Sequence, residues 1–202
     1  MSIECTDTKA GRSRTSLRRL PQRASSDRAD LDEILDAAVV CHVGFTTPEG
    51  PVVIPTIHAR HGDMLYLHGS AASAMLRTLA GGVEACATVT LIDGLVLSKS
   101  WFHHSMNYRS AVIFGHARVV DDPDAKREAL RVIVEQVRPG RTSESRPPTD
   151  KELAATLVLA LPLTEWSVKS RTGPPIEEPG DEALPWTNGV VPVPAERFGG
   201  AR

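Results

Sequence analysis

The chain has 202 residues and a mass of 21.8 kDa, with 41% hydrophobic and 24% charged residues, the proportions of a soluble globular protein organised around one main core. Its 23 Lys and Arg against 25 Asp and Glu leave a net charge of -2, without the basic excess that grips a phosphate polymer, so nucleic acid is not an expected partner. Cys5, Cys41 and Cys86 are odd in number and far apart, with no CxxC pair, which sets aside a zinc knuckle or a disulfide framework and points to a reducing, cytoplasmic compartment.

Residues 1–29 carry Arg12, Arg14, Arg18, Arg19, Arg23 and Arg28 but few large apolar side chains. They read as a flexible arm, docked at most through Leu17 and Leu20, rather than as a secretory signal. The main domain is expected over 30–193, with 194–202 as a tail. Leu31, Ile34, Leu35 and Ala38 recur at helical spacing behind Asp30, a cap that Glu33 reciprocates, and predict a first short helix. From Val39 the period becomes that of strands: VVCHVGF, PVVIPTIHAR and MLYLHGS are separated by TTPEG and HGD, which carry turn chemistry, and form a β-meander. In SAASAMLRTLAGG, Ser70 is the expected cap of a second helix, Met75, Leu76 and Leu79 its apolar face, and Gly81 or Gly82 its stop. EACATVTLI and LVLSKSWF flank Asp93 and Gly94, a strong hairpin signal, and RSAVIFGHARVV continues the sheet. Asp122 and Pro123 open a third helix with Leu130, Ile133, Val134 and Val137 in one stripe. Thr149 with Glu152 begins a further capped turn before TLVLALPLTEWSVKS, whose last part reads as a strand. The apolar run 153–163 is interrupted by Thr156 and Pro162 and falls short of the roughly 18 residues of a membrane span. About six antiparallel strands with short helices between them make a mainly β, α+β fold, a closed or partly closed barrel. The absence of GxGxxG sets a Rossmann fold aside.

Four polar clusters interrupt these strands. In IPTIHAR, Pro55 marks an edge or bulge where Thr56 is free to hydrogen-bond a ligand; an edge strand with an incidental proline explains the same residues equally well. In LYLHGSAAS a strand ends at His68 and Gly69 as a helix begins. Ser70 and Ser73 add hydroxyl donors to a junction that suits a phosphate, although a plain N-cap and a turn glycine account for it too. SKSWFHHSMNYRS is the densest polar and aromatic segment of a chain with only 4% aromatic residues. Adjacent His103 and His104 point to opposite faces if extended, which disfavours a metal chelate, whereas Lys99, Asn107, Tyr108 and Arg109 suit a planar polar heterocycle. In SVKSRTGPP and PWTNGVVP, Lys169 and Arg171 share one side of a strand, as for a common anionic target, and Trp186 anchors a tail; a solvated strand face is the alternative. With many donors, no nucleophile elbow and no paired carboxylates, the chain implies that a cofactor carries any reaction.

Together, IPTIHARHGDMLYLHGSAAS, TVTLIDGLVLSKSWFHHSMNYRSAVIFGHARVV and SVKSRTGPPIEEPGDEALPWTNGVVPV resemble the pyridoxamine 5'-phosphate oxidase-like, FMN-binding split-barrel proteins, and within them the flavin-nucleotide-binding branch with nitroimidazole-reductase-like members. The likeness covers about residues 31–193, and FHHSMNYRS is its most specific part. It implies a six-stranded antiparallel split β-barrel with short flanking helices, a homodimer, and FMN in a cleft between subunits. Carried over, His68, Ser70 and Ser73 meet the FMN phosphate and Thr56 runs along the isoalloxazine ring. His104, Asn107 and Arg109 come from the FHHSMNYRS bend, and Lys169, Arg171 and Trp186 from the late strand and tail. One departure is Ala74, which stands where the branch carries a basic residue; a charge-assisted hydrogen bond is lost there unless Arg77 substitutes. FAD, a deazaflavin and haem are the alternative cofactors.

The expected function is therefore an FMN-dependent oxidoreductase passing electrons from NADH or NADPH to a small organic acceptor. Arg109, Lys169 or Arg171 near the pyrimidine edge would favour the anionic reduced flavin, and no general acid is assigned. A carrier or sensor without turnover uses the same residues, and a structural barrel with an empty cleft ranks last. The ending VVPVPAERFGGAR does not match the region that selects substrate in pyridoxamine phosphate oxidase, so that activity is not expected.

Overall fold

The computed structural model describes residues 13–194; Cys5, the first part of the expected arm and all but the first residue of the expected tail lie outside them. In chain order the elements are β1 (Ala24–Ser25), α1 (Arg28–Ala37), β2 (Val40–Thr47), β3 (Gly50–His61), β4 (Met64–Ser70), α2 (Ala74–Ala80), β5 (Glu84–Leu97), β6 (Ser105–His116) and β7 (Arg118–Val119). Then follow α3 (Pro123–Val137), α4 (Asp150–Ala155), β8 (Thr156–Pro162), β9 (Glu165–Arg171) and β10 (Gly189–Pro192). The strands form one curled antiparallel sheet, a half-barrel in the order β1-β9-β6-β5-β2-β3-β4-β8-β7, with β10 paired to β5 off this path. β3 joins the two halves: Gly50 to Ile57 pair with β2, and His58 to His61 pair with β4.

The mainly β class and the four short helices follow from the sequence pattern, but the count of six strands does not hold: nine strands lie along the path. Asp93 and Gly94 do not turn the chain. β5 runs straight through them, and its register against β6 slips between Ile92 and Gly94, a bulge inside one long strand. Gly94 is there because β10 passes over it: a Cβ would lie 2.8 Å from Val190 Cγ1 and 3.2 Å from the Val191 carbonyl. The run TLVLALPLTEW holds a complete strand of its own, β8, ahead of β9. β1, β7 and β10 are 2, 2 and 4 residues long, too short for a period to show.

Two helix starts also move. α1 is capped by Asp27, which accepts from the Ala29 amide at 2.9 Å, rather than by Asp30, because Arg28 already pairs with Asp32 one turn on. α2 is capped by Ser73 rather than Ser70; Ser70 ends β4 instead, paired across to Thr156. Asp122 caps α3 with Pro123 in its first turn, and Thr149 with Glu152 makes a full capping box on α4, as the residues predict.

Alternation along β2 buries Cys41, Val43 and Phe45 and turns Val40, His42 and Thr46 outward. The buried residues join Leu31, Ile34 and Leu35 of α1, Leu76 and Leu79 of α2, and Leu65, Leu67, Ile113, Leu159 and Leu161 of the strands in one core. α3 packs on β3, β4 and β8 through Ala129 and Ile133, outside that cluster. The C-terminal end of α1 is closed from two sides: His58 donates its Nε2–H to the Leu35 carbonyl, and the Gln136 amide donates toward the carbonyls of Leu35, Asp36 and Ala38 at 3.1, 3.0 and 2.6 Å. Ahead of α1, Arg14 lies 4.3 Å over the Phe114 ring and pairs with both Glu84 and Glu165, while β1 zips onto β9.

Candidate functional site

Cross-strand partners share a face, so the register sorts the candidate residues by side. Lys169 stands opposite Ser110, which stands opposite Thr90; one step along, Arg171, Tyr108 and Ile92 make a parallel row. His42, opposite Thr88 and Pro55, extends the same polar face across β2 and β3. Arg109, one residue from this row, projects from the opposite face with Leu91 and Ser170, and Thr56 lies on the core side opposite Cys41. The sheet thus separates Lys169 and Arg171 from Arg109 and Thr56.

The two arginines also differ in company. Arg109 makes a bidentate pair with Asp93 at 3.1 and 2.8 Å and a third bond to Glu33 of α1 at 2.7 Å, so two carboxylates already match its charge. Arg171 is 8% exposed, yet its guanidinium meets only neutral oxygens: the Asn107 side chain and the carbonyls of Gly173 and Pro174. No carboxylate pairs with it among the described residues. A guanidinium that deep, held by neutral acceptors, keeps an uncompensated positive charge. It lines a cavity of about 440 Å³ with Gln22, Arg23, Ser170 and Thr172, whose lining holds two guanidiniums and no acid.

At the end of β4, the Ser70 hydroxyl accepts from the Ala72 amide at 3.2 Å and Ser73 accepts from Leu76 at 3.4 Å, so both oxygens shape the turn into α2. His68 has a buried Nδ1 with no partner, and burial pushes its pKa down, which leaves a neutral imidazole. The β5–β6 connection is a fixed turn. Glu177 accepts from the Ser98 hydroxyl, the Lys99 amide and Asn188; Lys99 Nζ donates to the carbonyls of Glu182 and Leu184; His103 Nε2 meets Glu178 at 2.8 Å. This clamp presents Trp101 at 97% and Phe102 at 87% exposure. His104 follows, its Nδ1 donating to the Ser100 carbonyl at 2.9 Å. Trp186 lies exposed in the 172–188 segment. Among the described residues, no three His, Cys, Asp or Glu side chains come together as a metal site.

A family model described as pyridoxamine 5'-phosphate oxidase matches residues 27–170. The chain belongs to the pyridoxamine 5'-phosphate oxidase-like family of flavin-binding split-barrel proteins. Within that family it is similar to the solved FAD and haem binding protein from Mycobacterium smegmatis, with 42% identity over 85% of this chain and 84% of the other, and a TM-score of 0.80. The flavocytochrome Anf3 from Azotobacter vinelandii is 38% identical over 91% of this chain and 85% of its own, with a TM-score of 0.83. A protein assigned to 5-nitroimidazole antibiotic resistance from Bacteroides thetaiotaomicron is 26% identical over 72% of this chain and 85% of its own, with a TM-score of 0.61. No curated protein sequence matches the chain.

For this split-barrel chain, the sequence motifs name the polar segments but not the partners that decide what each residue can do. Asp93, 16 residues from Arg109, was read as a turn residue, although it occupies two of that arginine's donors. Glu177 and Glu178 of IEEPGDE carry the clamp on SKSWFHH from 75 to 79 residues away, and the facing of an acidic pair with a Lys, Ser and His segment was their only signal. Arg23 was counted with the arm, and only its position beside Arg171 marks it. Arg77, proposed to replace a basic residue at Ala74, is exposed on α2 one turn beyond the cap.

Proposed function

We propose that this chain is a flavin-binding electron-transfer protein that holds its flavin as FAD, accommodates haem as a second group, and passes electrons from a reduced nicotinamide to a small acceptor. The observation that carries the reading is the cavity lined by both Arg23 and Arg171, whose lining residues include no acid. That is the donor set for a diphosphate, which FAD has and FMN lacks. The polar row of Lys169, Ser110 and Thr90 supplies further donors on the same sheet, and the names of the two relatives at 42% and 38% identity, a FAD and haem binding protein and a flavocytochrome, agree with it.

In this assignment Arg171 and Arg23 hold the anionic part of the cofactor, with Asn107 and the Gly173 and Pro174 carbonyls keeping the Arg171 fork in place. Lys169 adds a point charge that favours an anionic reduced ring. A flavin, when bound, supplies hydride acceptance and single-electron release. Arg109 acts at a distance, fastening the β5 bulge to α1. Two copies are expected to complete the site, through the exposed apolar row of Leu95, Met106 and Val191.

The test is a visible spectrum of the purified full chain, chromatographic identification of the released flavin, and anaerobic addition of NADH and NADPH. FAD that bleaches with either nicotinamide supports the reading. FAD that stays oxidised makes the chain a carrier. Arg171→Met is expected to weaken flavin binding tenfold or more, since hydrogen bonds to a charged group each contribute about 1.5–3 kcal/mol. A variant that binds flavin as the parent does would remove Arg171 from the site.

A further inference from the structure

We infer that residues 13–26 form a strap beside the Arg171 cavity, and that Arg14 is the positioning residue that pins it, so that Arg23 stays in the cavity and an anionic ligand leaves slowly; this rests on the proposed function, in which that cavity holds the flavin. By composition this stretch is an arm with too little apolar surface to order itself. The structure nevertheless lays it along β9, and the hold comes from a few specific contacts.

β1 runs antiparallel to β9, with Ala24 opposite Lys169 and Ser25 opposite Val168, so the residues just before Ala24 fall beside Ser170 and Arg171. Those residues form one turn of 3-10 helix, Pro21–Arg23, and Gln22 and Arg23 line the cavity. No side-chain hydrogen bond or ion pair holds the Arg23 guanidinium among the described residues, so the backbone that carries it sets its place. That backbone is strained. Leu20, which enters the turn at φ 56 and ψ 58, is the one residue other than glycine with positive φ among the described residues. A leucine in the left-handed region costs free energy and persists only where the chain is held on both sides.

After the turn, the hold is the short ladder of β1. Before it, the hold is Arg14, whose guanidinium makes four hydrogen bonds of 2.6 to 2.9 Å to Glu84 and Glu165 while lying over the Phe114 ring. Little fastens the strap between these two points. No residue from 13 to 27 is buried, and a cavity of about 610 Å³ is lined by Ser13, Thr15 and Ser16 of the strap and by Glu165 and Ser167 of β9. A single exposed ion pair is a weak pin. A guanidinium shared by two carboxylates and seated on a ring is a network, firm enough to hold an arm and weak enough to release it. Letting go of Arg14 frees the chain ahead of Leu20, relaxes the strained turn and withdraws Arg23 from the cavity.

The experiment uses the full chain loaded with FAD and has two readouts. One is the rate of flavin release, followed as the rise in flavin fluorescence on dilution. The other is the rate of trypsin cleavage at Arg18 and Arg19, which are exposed on the strap, with the fragments identified by mass. Arg23→Gln should speed release about tenfold and Arg14→Gln roughly threefold, with far-ultraviolet circular dichroism unchanged. Arg14→Gln should also be cut faster, a Glu84→Gln, Glu165→Gln double variant should match it in both readouts, and bound flavin should slow cleavage of the parent. Arg131→Gln, which removes a paired guanidinium from α3, should behave as the parent. Because Arg14 acts through Arg23, the Arg14→Gln, Arg23→Gln pair should release flavin no faster than Arg23→Gln alone. Effects that multiply in that pair overturn the inference, as does an Arg14→Gln chain that is cut faster but releases flavin as the parent does. A parent that takes up no flavin ends the proposed function, and the strap is then judged by cleavage alone: faster cutting of Arg14→Gln upholds it, and equal rates overturn it.

Discussion

At the scale of single residues, burial decides chemistry more than identity does. His58 is sealed between α1 and β3 with its Nδ1 unpartnered, and burial holds its pKa below the ordinary 6.5. Above that pH both folded and unfolded rings are neutral. As pH falls below it, the unfolded chain gains a proton that the folded chain resists, so stability drops by up to about 1.4 kcal/mol per pH unit until the folded ring titrates. His68 adds to the same trend. Urea denaturation at pH 7.5 and 5.5 should show the loss, and His58→Gln should flatten it; an equal slope in both proteins would assign the trend elsewhere. Gln136 closes the end of α1 by donating to three carbonyls, and Gln136→Leu should cost about 1–3 kcal/mol, read as a lower urea midpoint at unchanged slope. The side chains of these contacts were all visible in the sequence. Their partners were not: Gln136 lies 98 to 101 residues from its acceptors and Arg109 lies 76 from Glu33, distances over which no local pattern reports pairing.

Among elements, the β5 to β10 crossing shows how one residue type can serve two geometries. An Asp-Gly pair between apolar runs normally closes a hairpin, and that expectation fails here because both flanking runs pair with β6, the first also with β2 and the second also with β10, so the chain gains more ladder by continuing. The glycine is then required by β10, whose Val190 would collide with any Cβ. Gly94→Ala should loosen β10 and lower stability by about 1–3 kcal/mol, with amide exchange accelerated over residues 189–192 and not in β2; retained protection over that strand would refute the reading. Helices were legible because an apolar face with a 3.6-residue period spans two or more turns, as in α1 and α3. The short strands were not, since two residues carry no period.

Across the whole molecule, three of the exposed apolar side chains line up in one row of the sheet. Leu95, Met106 and Val191 stand directly across from one another on β5, β6 and β10, at 46, 39 and 48% exposure. A row of that kind is expected to meet a second copy. Light scattering coupled to size exclusion should report a dimer for the parent and a monomer for a Leu95→Glu, Val191→Glu double variant; a monomeric parent would end the dimer proposal. No helix among the described residues is long and apolar enough to cross a membrane.

What the sequence determined by itself was everything written in local periodicity and local chemistry: a mainly β chain, its helices, the capping box at Thr149 and the proline start at Asp122, and the segments rich in ligand-type side chains. Its FHHSMNYRS signature also carried the family, which the match over 27–170 bears out. The tertiary structure alone decided which of those side chains share a face, because strand register turns one residue of sequence into opposite sides of a sheet. That is why Arg171 lines a cavity as an unmatched cation while Arg109, one position along β6 from Tyr108, the cross-strand neighbour of Arg171, is neutralised by Asp93 and Glu33.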